Sequence, residues 1–224
     1  MAEGHMADLH ITLGNKRYSS WSMRPWLALK ATGLPFTEEV HCLGSDEMNA
    51  WLAANSPNRK VPLLRHGDLK IWDSLAIIEY LAELAPEAGL WPQDREARAI
   101  ARSVSAEMHS GFQPLRQHLG MNVGRTYPGF AVPADAQADV DRIQAIWAEC
   151  RQNYGAGGPF LFGAFGAADC MYAPVVTRFV TYDVTLTPEA QSYVDAMLAQ
   201  PFVAEWIAAG KAEPWVVEKY ELAV

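Results

Sequence analysis

Three short stretches of the chain combine residue types that can bind or activate a small molecule. The first is Ser19-Ser20-Trp21-Ser22, which falls where a predicted strand ends and a predicted helix begins. A helix N-terminus presents free N–H groups and the positive end of the helix dipole, so it favours an anion. If that anion is a thiolate, the helix terminus and a serine hydroxyl both lower the pKa of the thiol. Serine is also a good N-cap, so an ordinary helix start is the alternative.

The second stretch is Val61-Pro62, which opens a predicted strand. A proline in this position belongs either to an ordinary trans edge strand or to a turn with a cis peptide bond. A cis bond would leave the N–H and C=O of Val61 free to pair with an extended peptide, as an added strand does. The sequence leaves both interpretations open.

The third stretch is Asp73-Ser74, directly before the helical run that begins at Leu75. One interpretation is that Ser74 caps this helix with its own hydroxyl. The other is that the hydroxyl and the free N–H groups bind a ligand carboxylate, while Asp73 faces a ligand ammonium.

The overall charge argues against a nucleic-acid partner. The 224 residues include 18 Lys and Arg against 26 Asp and Glu, a net charge of −8. Binding to phosphates requires a basic face, which this balance does not favour. Basic residues nevertheless cluster early in the chain, first between Lys16 and Lys30 and again between Arg59 and Lys70. These basic clusters are either ordinary solvated surface charge or part of a site that attracts a small anion.

Cysteine, histidine and hydropathy patterns exclude further classes. Three widely spaced cysteines form no C-x-x-C pair, and six histidines form no pair at helical spacing, so we expect neither a dithiol nor a metal site. No apolar run approaches the roughly 18 residues of a membrane span, and no signal peptide is evident. We therefore expect a cytoplasmic protein without membrane contact.

Residues 1–6 (MAEGHM) resemble a cloning remnant before a native start near Met6.

The three stretches are positioned by an alternating set of strands and helices. The pattern predicts a strand at Leu9–Leu13, a helix around Met23–Lys30 with Pro25 in its first turn, and β character at 36–43. A short helix at 46–54, a hairpin at 61–72 and a helix at 74–85 follow.

Beyond a break at 86–92 the strand signals largely vanish. Helices are predicted at 95–119, 135–153, 168–181, 188–198 and 202–209. We therefore predict an α/β domain at 8–85, a linker at 86–94 and an all-helical domain at 95–224, after the remnant and start at 1–7.

The order of these motifs resembles the glutathione transferase family over nearly the whole chain. The stretches that carry the resemblance are SSWSMRPWLAL, SPNRKVPLL and DSLAIIEYL, and the first resembles the serine motif of the zeta class, which includes maleylacetoacetate isomerases. The resemblance implies a thioredoxin-like N-terminal domain that binds glutathione, followed by an all-α domain that lines the second substrate's pocket. It also implies a homodimer.

The resemblance implies a role for each matching residue. Ser19 corresponds to the family's catalytic serine, which hydrogen-bonds the glutathione sulfur, and Ser20 is the neighbour able to substitute for it. The implied glutathione-binding residues are Val61 before a cis-Pro62 for the cysteinyl backbone, Asp73 and Ser74 for the γ-glutamyl group, and Lys60, or less surely Arg59, for the glycine carboxylate.

The chain also departs from the zeta pattern. Trp21 stands where those enzymes have a cysteine, which puts isomerisation of maleylacetoacetate in doubt. Gly166 replaces a capping Ser or Thr, so Asp169 is expected to act in folding. Arg178 lies about one turn before the position of their substrate-binding arginine. Trp21 and Arg178 are our candidates for the second-substrate pocket.

The leading hypothesis is a detoxifying transferase that conjugates the glutathione thiolate to a small hydrophobic electrophile. The alternatives are a glutathione-dependent isomerase of the maleylacetoacetate type and a non-catalytic binding scaffold of the same fold. Glutathione-dependent reduction is weaker, because the Ser19–Ser22 stretch lacks a cysteine nucleophile.

Overall fold

The computed structural model describes residues 9–222, so the predicted remnant and start at 1–7 lie outside the described residues. An α/β domain is followed by a helical domain, which confirms the predicted fold class. The strands are β1 (Leu9–Gly14), β2 (Phe36–His41), β3 (Leu63–His66) and β4 (Leu69–Trp72). The helices are α1 (Ser20–Thr32), α2 (Asp46–Asn55), α3 (Ser74–Leu84), α4 (Arg95–Ser110), α5 (Gln113–His118), α6 (Ala134–Tyr154), α7 (Ala167–Thr181), α8 (Pro188–Ala199) and α9 (Pro201–Ala212).

The four strands form one mixed sheet in the order β2-β1-β3-β4. β1 is parallel to β2 and antiparallel to β3, and β3 pairs with β4 in the predicted hairpin. This topology brings four chain segments to the same edge of the sheet. They are the segments after β2, after β1, before β3 and after β4, in that order across the edge.

Helix α1 is buried on nearly all sides, from Ser22 through Leu29. It packs against β1, α3, α7 and α9, and so belongs to the cores of both domains. Its beginning differs from the prediction, because Pro25 lies inside the helix and not in its first turn. The helix starts earlier because Ser19 caps it by accepting a hydrogen bond from the N–H of Ser22.

The predicted single helix at 95–119 is wrong, since the structure has two helices there. α4 ends at Ser110 and α5 begins at Gln113, and between them Phe112 adopts a left-handed conformation with φ of 59°. Pro114 explains the break, because it has no N–H to donate to the carbonyl of Ser110. The turn redirects the chain so that α5 approaches the N-terminus of α1.

Asp169 is a buried structural residue in the first turn of α7. Its carboxylate accepts hydrogen bonds from the N–H groups of Leu161 and Gly166 and from the hydroxyl of Tyr193, at 3.1, 2.9 and 2.9 Å. Burial raises the pKa of Asp169 to about 6 against the opposing effect of these donors. The contacts fix the loop before α7, in keeping with the expected folding role.

Candidate active site

A cleft of about 500 Å³ opens at the sheet edge where the four segments meet, between the two domains. The candidate residues that line it are Ser19, Ser20, Trp21, Arg59, Lys60, Val61 and Arg178. Pro62, Asp73 and Ser74 do not line the cleft itself. They lie at the same edge of the sheet, next to β3 and after β4.

Ser19 and Ser20 lie at the N-terminus of α1 with both side chains largely buried. The Ser19 hydroxyl lies 2.8 Å from the hydroxyl of Ser22, which also accepts a hydrogen bond from the N–H of Gly14 at 3.0 Å. The Ser20 hydroxyl accepts a bond from Nη2 of Arg178 at 3.3 Å. Two hydroxyls and the positive end of a helix dipole therefore meet at one point of the cleft.

The Val61–Pro62 peptide bond is cis, so the trans alternative is wrong. β3 begins only at Leu63, and the N–H and C=O of Val61 have no hydrogen-bond partner among residues 9–222. Val61 thus offers both backbone groups to the cleft, in the arrangement that an extended peptide needs.

The third stretch corrects one interpretation, because Asp73 and not Ser74 caps α3. Oδ1 of Asp73 accepts hydrogen bonds from the N–H groups of Leu75 and Ala76, at 2.9 and 3.4 Å. Ser74 is 1% exposed, and its hydroxyl has no partner in the described part of the chain. A buried hydroxyl without a partner is costly, and a ligand carboxylate would satisfy it.

Comparison with known proteins agrees with this geometry. Family models for the N-terminal and C-terminal domains of glutathione S-transferases match residues 13–89 and 133–209. A probable maleylacetoacetate isomerase from Caenorhabditis elegans is 41% identical over 171 residues, 75% of this chain and 78% of that protein.

The chain belongs to the glutathione S-transferase family.

Other members place it near the zeta class of this family. Maleylacetoacetate isomerase from Rattus norvegicus is 36% identical over 43% of this chain and 45% of its own length, and several other curated relatives are likewise matched over less than half their length. A bacterial zeta-class maleylpyruvate isomerase has a TM-score of 0.69 at 26% identity, covering 92% of this chain and 98% of its own. A Burkholderia homologue, solved with bound glutathione, has a TM-score of 0.68 at 27% identity, covering 92% and 100%.

Two arginines at the cleft are buried, Arg178 in its lining and Arg24 against the ring of Trp21. Arg24, on α1, donates from Nε to the carbonyl of Met171, while its two terminal nitrogens have no partner among the described residues. Nε and Nη1 of Arg178 are likewise without a partner there. Burial lowers the pKa of Arg24 well below its usual value and that of Arg178 to about 9, and neighbouring arginine charges add to both effects.

Trp21 forms part of the same cluster of positive charge. Its ring lies 4.5 Å from the guanidinium carbon of Arg24 and 4.8 Å from that of Arg116. Cation–π contacts of this kind stabilise both guanidinium groups. The side chain of Trp21 is 37% exposed and forms one wall of the cleft.

Sequence reasoning missed Arg116, Lys219 and Tyr220, which also line the cleft. Arg116 enters it only because the chain turns at Phe112, inside what the pattern predicts as one helix. Lys219 and Tyr220 belong to a C-terminal segment with no periodic pattern. Tyr18, which also lines the cleft, donates its hydroxyl to Glu221 at 2.6 Å.

The described residues contain no candidate metal site and no candidate membrane span. Within 9–222, no three His, Cys, Asp or Glu side chains are grouped to hold a metal ion. No helix in that range is both long and apolar enough to cross a bilayer.

The free hydroxyl of Ser74 leads to a stability prediction. We expect Ser74→Ala not to lower the free energy of unfolding, because no hydrogen bond within residues 9–222 is lost and a buried hydroxyl without a partner is removed. Ser45→Ala is the matched control, since the Ser45 hydroxyl caps α2 by accepting from the N–H of Met48 at 3.1 Å. Its loss should cost about 1 kcal/mol in urea unfolding. Equal destabilisation by both variants would mean that Ser74 supports the fold.

Proposed function

We propose that this protein is a glutathione transferase that activates the glutathione thiol through Ser19 and adds the thiolate to a small electrophile. One observation carries the proposal: the Ser19 and Ser20 hydroxyls, at a helix N-terminus, line the same cleft as the unpaired backbone of Val61. Thiolate stabilisation and peptide binding are thereby available at one place. The family and its glutathione-bound member support glutathione as the thiol.

Ser22 has a positioning role in this proposal. The Ser19 hydroxyl is hydrogen-bonded to the hydroxyl of Ser22. Hydroxyl hydrogens rotate freely, so Ser22 can donate to Ser19 while Ser19 donates to the sulfur. The N–H of Gly14 continues this chain of donors from the backbone. Each donor in such a chain polarises the next, which favours the thiolate over the thiol.

The tripeptide fits along the sheet edge. Its cysteinyl backbone would pair with the N–H and C=O of Val61, which places the thiol next to Ser19. The γ-glutamyl carboxylate would meet the buried hydroxyl of Ser74, and the ammonium would face Asp73. Lys60 and Arg59 are exposed on the cleft wall and provide positive charge for the glycine carboxylate.

The protein's share of the reaction is activation and placement. The thiolate sulfur forms a bond to an electrophilic carbon held beside Trp21 and Arg178. In a substitution, the leaving group departs with the electron pair of its bond to that carbon. In an addition to a double bond, the carbanion that forms takes up a proton. The lowered pKa of the thiol and its placement beside the electrophile account for the rate.

The first prediction concerns Ser19. We expect Ser19→Ala to raise the pKa of the bound glutathione thiol by about 1–2 units, because a hydrogen bond to a charged group contributes about 1.5–3 kcal/mol. At neutral pH, turnover of a generic electrophile should fall by about tenfold to a hundredfold. A pH titration of the thiolate absorbance, together with kcat/KM, measures both effects.

Two further variants sharpen this test. Ser19→Thr keeps the hydroxyl and should retain most of the activity, while Ser20→Ala should have the smaller effect. If Ser19→Ala keeps full activity and Ser20→Ala loses activity, the role in thiol activation belongs to Ser20. If the wild-type protein binds glutathione but turns over no electrophile, the scaffold alternative replaces the enzyme.

The arginine cluster favours a second candidate, glutathione-dependent isomerisation of an unsaturated carboxylate. Addition of the thiolate to a cis double bond leaves a single bond that rotates, and elimination of the thiolate restores the double bond in trans form. Arg178 would hold a carboxylate of the substrate, because it lines the cleft and its Nε and Nη1 have no partner among residues 9–222. Arg116 lines the same cleft and adds positive charge, although its Nε already donates to the carbonyl of Gly111. The relatives named maleylacetoacetate isomerase support this candidate.

Arg178→Gln separates the two candidates. If the substrate is anionic, kcat/KM for maleylacetoacetate should fall by about tenfold to a hundredfold, while that for a neutral electrophile changes little. Arg142→Gln is the control, because Arg142 pairs with Glu107 outside the cleft. Equal loss on both substrates would speak against a carboxylate-binding role.

We further propose a cytoplasmic homodimer. Leu69 and Trp72 are exposed on the edge strand β4, and Ile100 is exposed on α4, so three large apolar side chains lie outside the core. A second copy packed here would cover them. Sedimentation equilibrium should give the mass of two chains, and Trp72→Glu should shift it towards one. A single-chain mass for the wild type at micromolar concentration would contradict the dimer.

A further inference from the structure

The segment after α9, residues 213–222, contributes two residues to the lining of the cleft, and we call it the C-terminal strap. The strap begins at Glu213, the C-cap of α9, and includes a short 3₁₀ turn at Glu218–Tyr220. Lys219 and Tyr220 are these two lining residues. The strap is thus a wall of the candidate site contributed by the far end of the chain.

One end of the strap is fixed to the loop that precedes Ser19. The carboxylate of Glu213 accepts hydrogen bonds from the N–H groups of Lys16 and Arg17, at 2.6 and 3.1 Å. The Arg17 guanidinium donates in return to the carbonyls of Gly210, Lys211 and Glu213. These contacts tie the strap to the segment that positions the catalytic hydroxyls.

The other end is held by Glu221. Its carboxylate accepts from the Tyr18 hydroxyl at 2.6 Å, from Nδ2 of Asn122 at 3.0 Å and from Nε of Arg125 at 2.8 Å. The ring of Tyr220 also packs on that of Tyr18, with 5.4 Å between centroids. With both ends held, the position of Lys219 over the cleft is defined.

The ammonium of Lys219 lies against Gly44, in the segment after β2. A Cβ placed on Gly44 would lie 3.4 Å from Nζ of Lys219, which is van der Waals distance, so the ammonium lies directly beside this glycine. Within residues 9–222, no carboxylate lies within 4.0 Å of this ammonium. Its Nζ lies 4.8 Å from the ring centroid of Tyr220, so among the described residues Lys219 brings to the cleft a positive charge that a ring contacts and no carboxylate pairs with.

The sheet order decides which part of a bound tripeptide meets this charge. Across the edge, the segment after β4 carries Ser74, the segment before β3 carries Val61, and the segment after β2 carries Gly44. A tripeptide with its γ-glutamyl end at Ser74 and its cysteine at Val61 must extend its third residue towards Gly44. That residue is glycine, and it bears a free carboxylate.

We infer that Lys219 binds the glycine carboxylate of glutathione, and that the strap is a built part of the glutathione site. This inference rests on the proposed function. Lys60 and Arg59 approach the same carboxylate from the sheet side, while Lys219 approaches it from the helical domain. The bound tripeptide would then join the strap to the sheet edge.

The test uses glutathione and its glycine monoethyl ester, in which that carboxylate is masked. Lys219→Ala should raise the Kd for glutathione about three- to tenfold in calorimetry, because a partly exposed ion pair is lost. The kcat at saturating glutathione should change less than about twofold. Lys219→Arg should bind close to normally. Lys211→Ala is the matched control, since Lys211 is a lysine of α9 that does not line the cleft.

The ester distinguishes charge recognition from a general effect on the strap. Wild type should bind the ester more weakly than glutathione, whereas Lys219→Ala should lose part of that difference. If Lys219→Ala binds glutathione as wild type does, or still discriminates fully against the ester, the inference is overturned while the proposed function stands. Absence of glutathione binding by wild type would overturn the proposed function and this inference together.

Discussion

The burial of Arg24 between α1 and α7 is the constraint around which both domains are arranged. Its side chain is 0% exposed, and its only hydrogen bond among the described residues is to the carbonyl of Met171. Burial of a cation without a carboxylate partner lowers the stability of the fold, and the like charges of nearby Arg116 and Arg178 lower it further. The surrounding packing of α1 must offset it, through contacts with β1, α3, α7 and α9. The same packing fixes the N-terminus of α1 at the cleft, so the position of Ser19 follows from a contact between domains.

The cleft combines two kinds of polar group with different origins. The sheet edge provides backbone groups and serine hydroxyls, which suit a peptide with a thiol. The helical domain provides arginines on α5 and α7 and a lysine on the strap, which suit carboxylates. Both substrates of the proposed reaction therefore meet a positive field in a protein whose net charge is −8. The local arrangement of charge, and not its sum, determines what the site attracts.

The part of this site that could be predicted from the sequence is the part whose residue types indicate the local backbone structure. Ser19, Val61-Pro62 and Asp73-Ser74 each lie at the start of a helix or strand, where the residue type itself indicates the backbone geometry. The capping of α3 was not predictable, because Asp73 and Ser74 are both good caps and only the backbone decides between them. The inclusion of Pro25 in α1 depends on tertiary packing that outweighs its local preference. Arg116 and Lys219 lie in the cleft only through a helix break and an irregular segment, for which no periodic pattern exists.

The strap also bears on the order in which the protein can form. Lys16 and Glu213, which bond directly, are separated by 197 positions in the chain. Contacts that span such a distance close late, because the loop between them must be organised first. During synthesis the thioredoxin-like domain can therefore fold around its sheet while one wall of its cleft has yet to leave the ribosome. Completion of the binding site then waits for residues 213–222, so a chain synthesised only as far as α9 would hold the serines in place without a finished pocket.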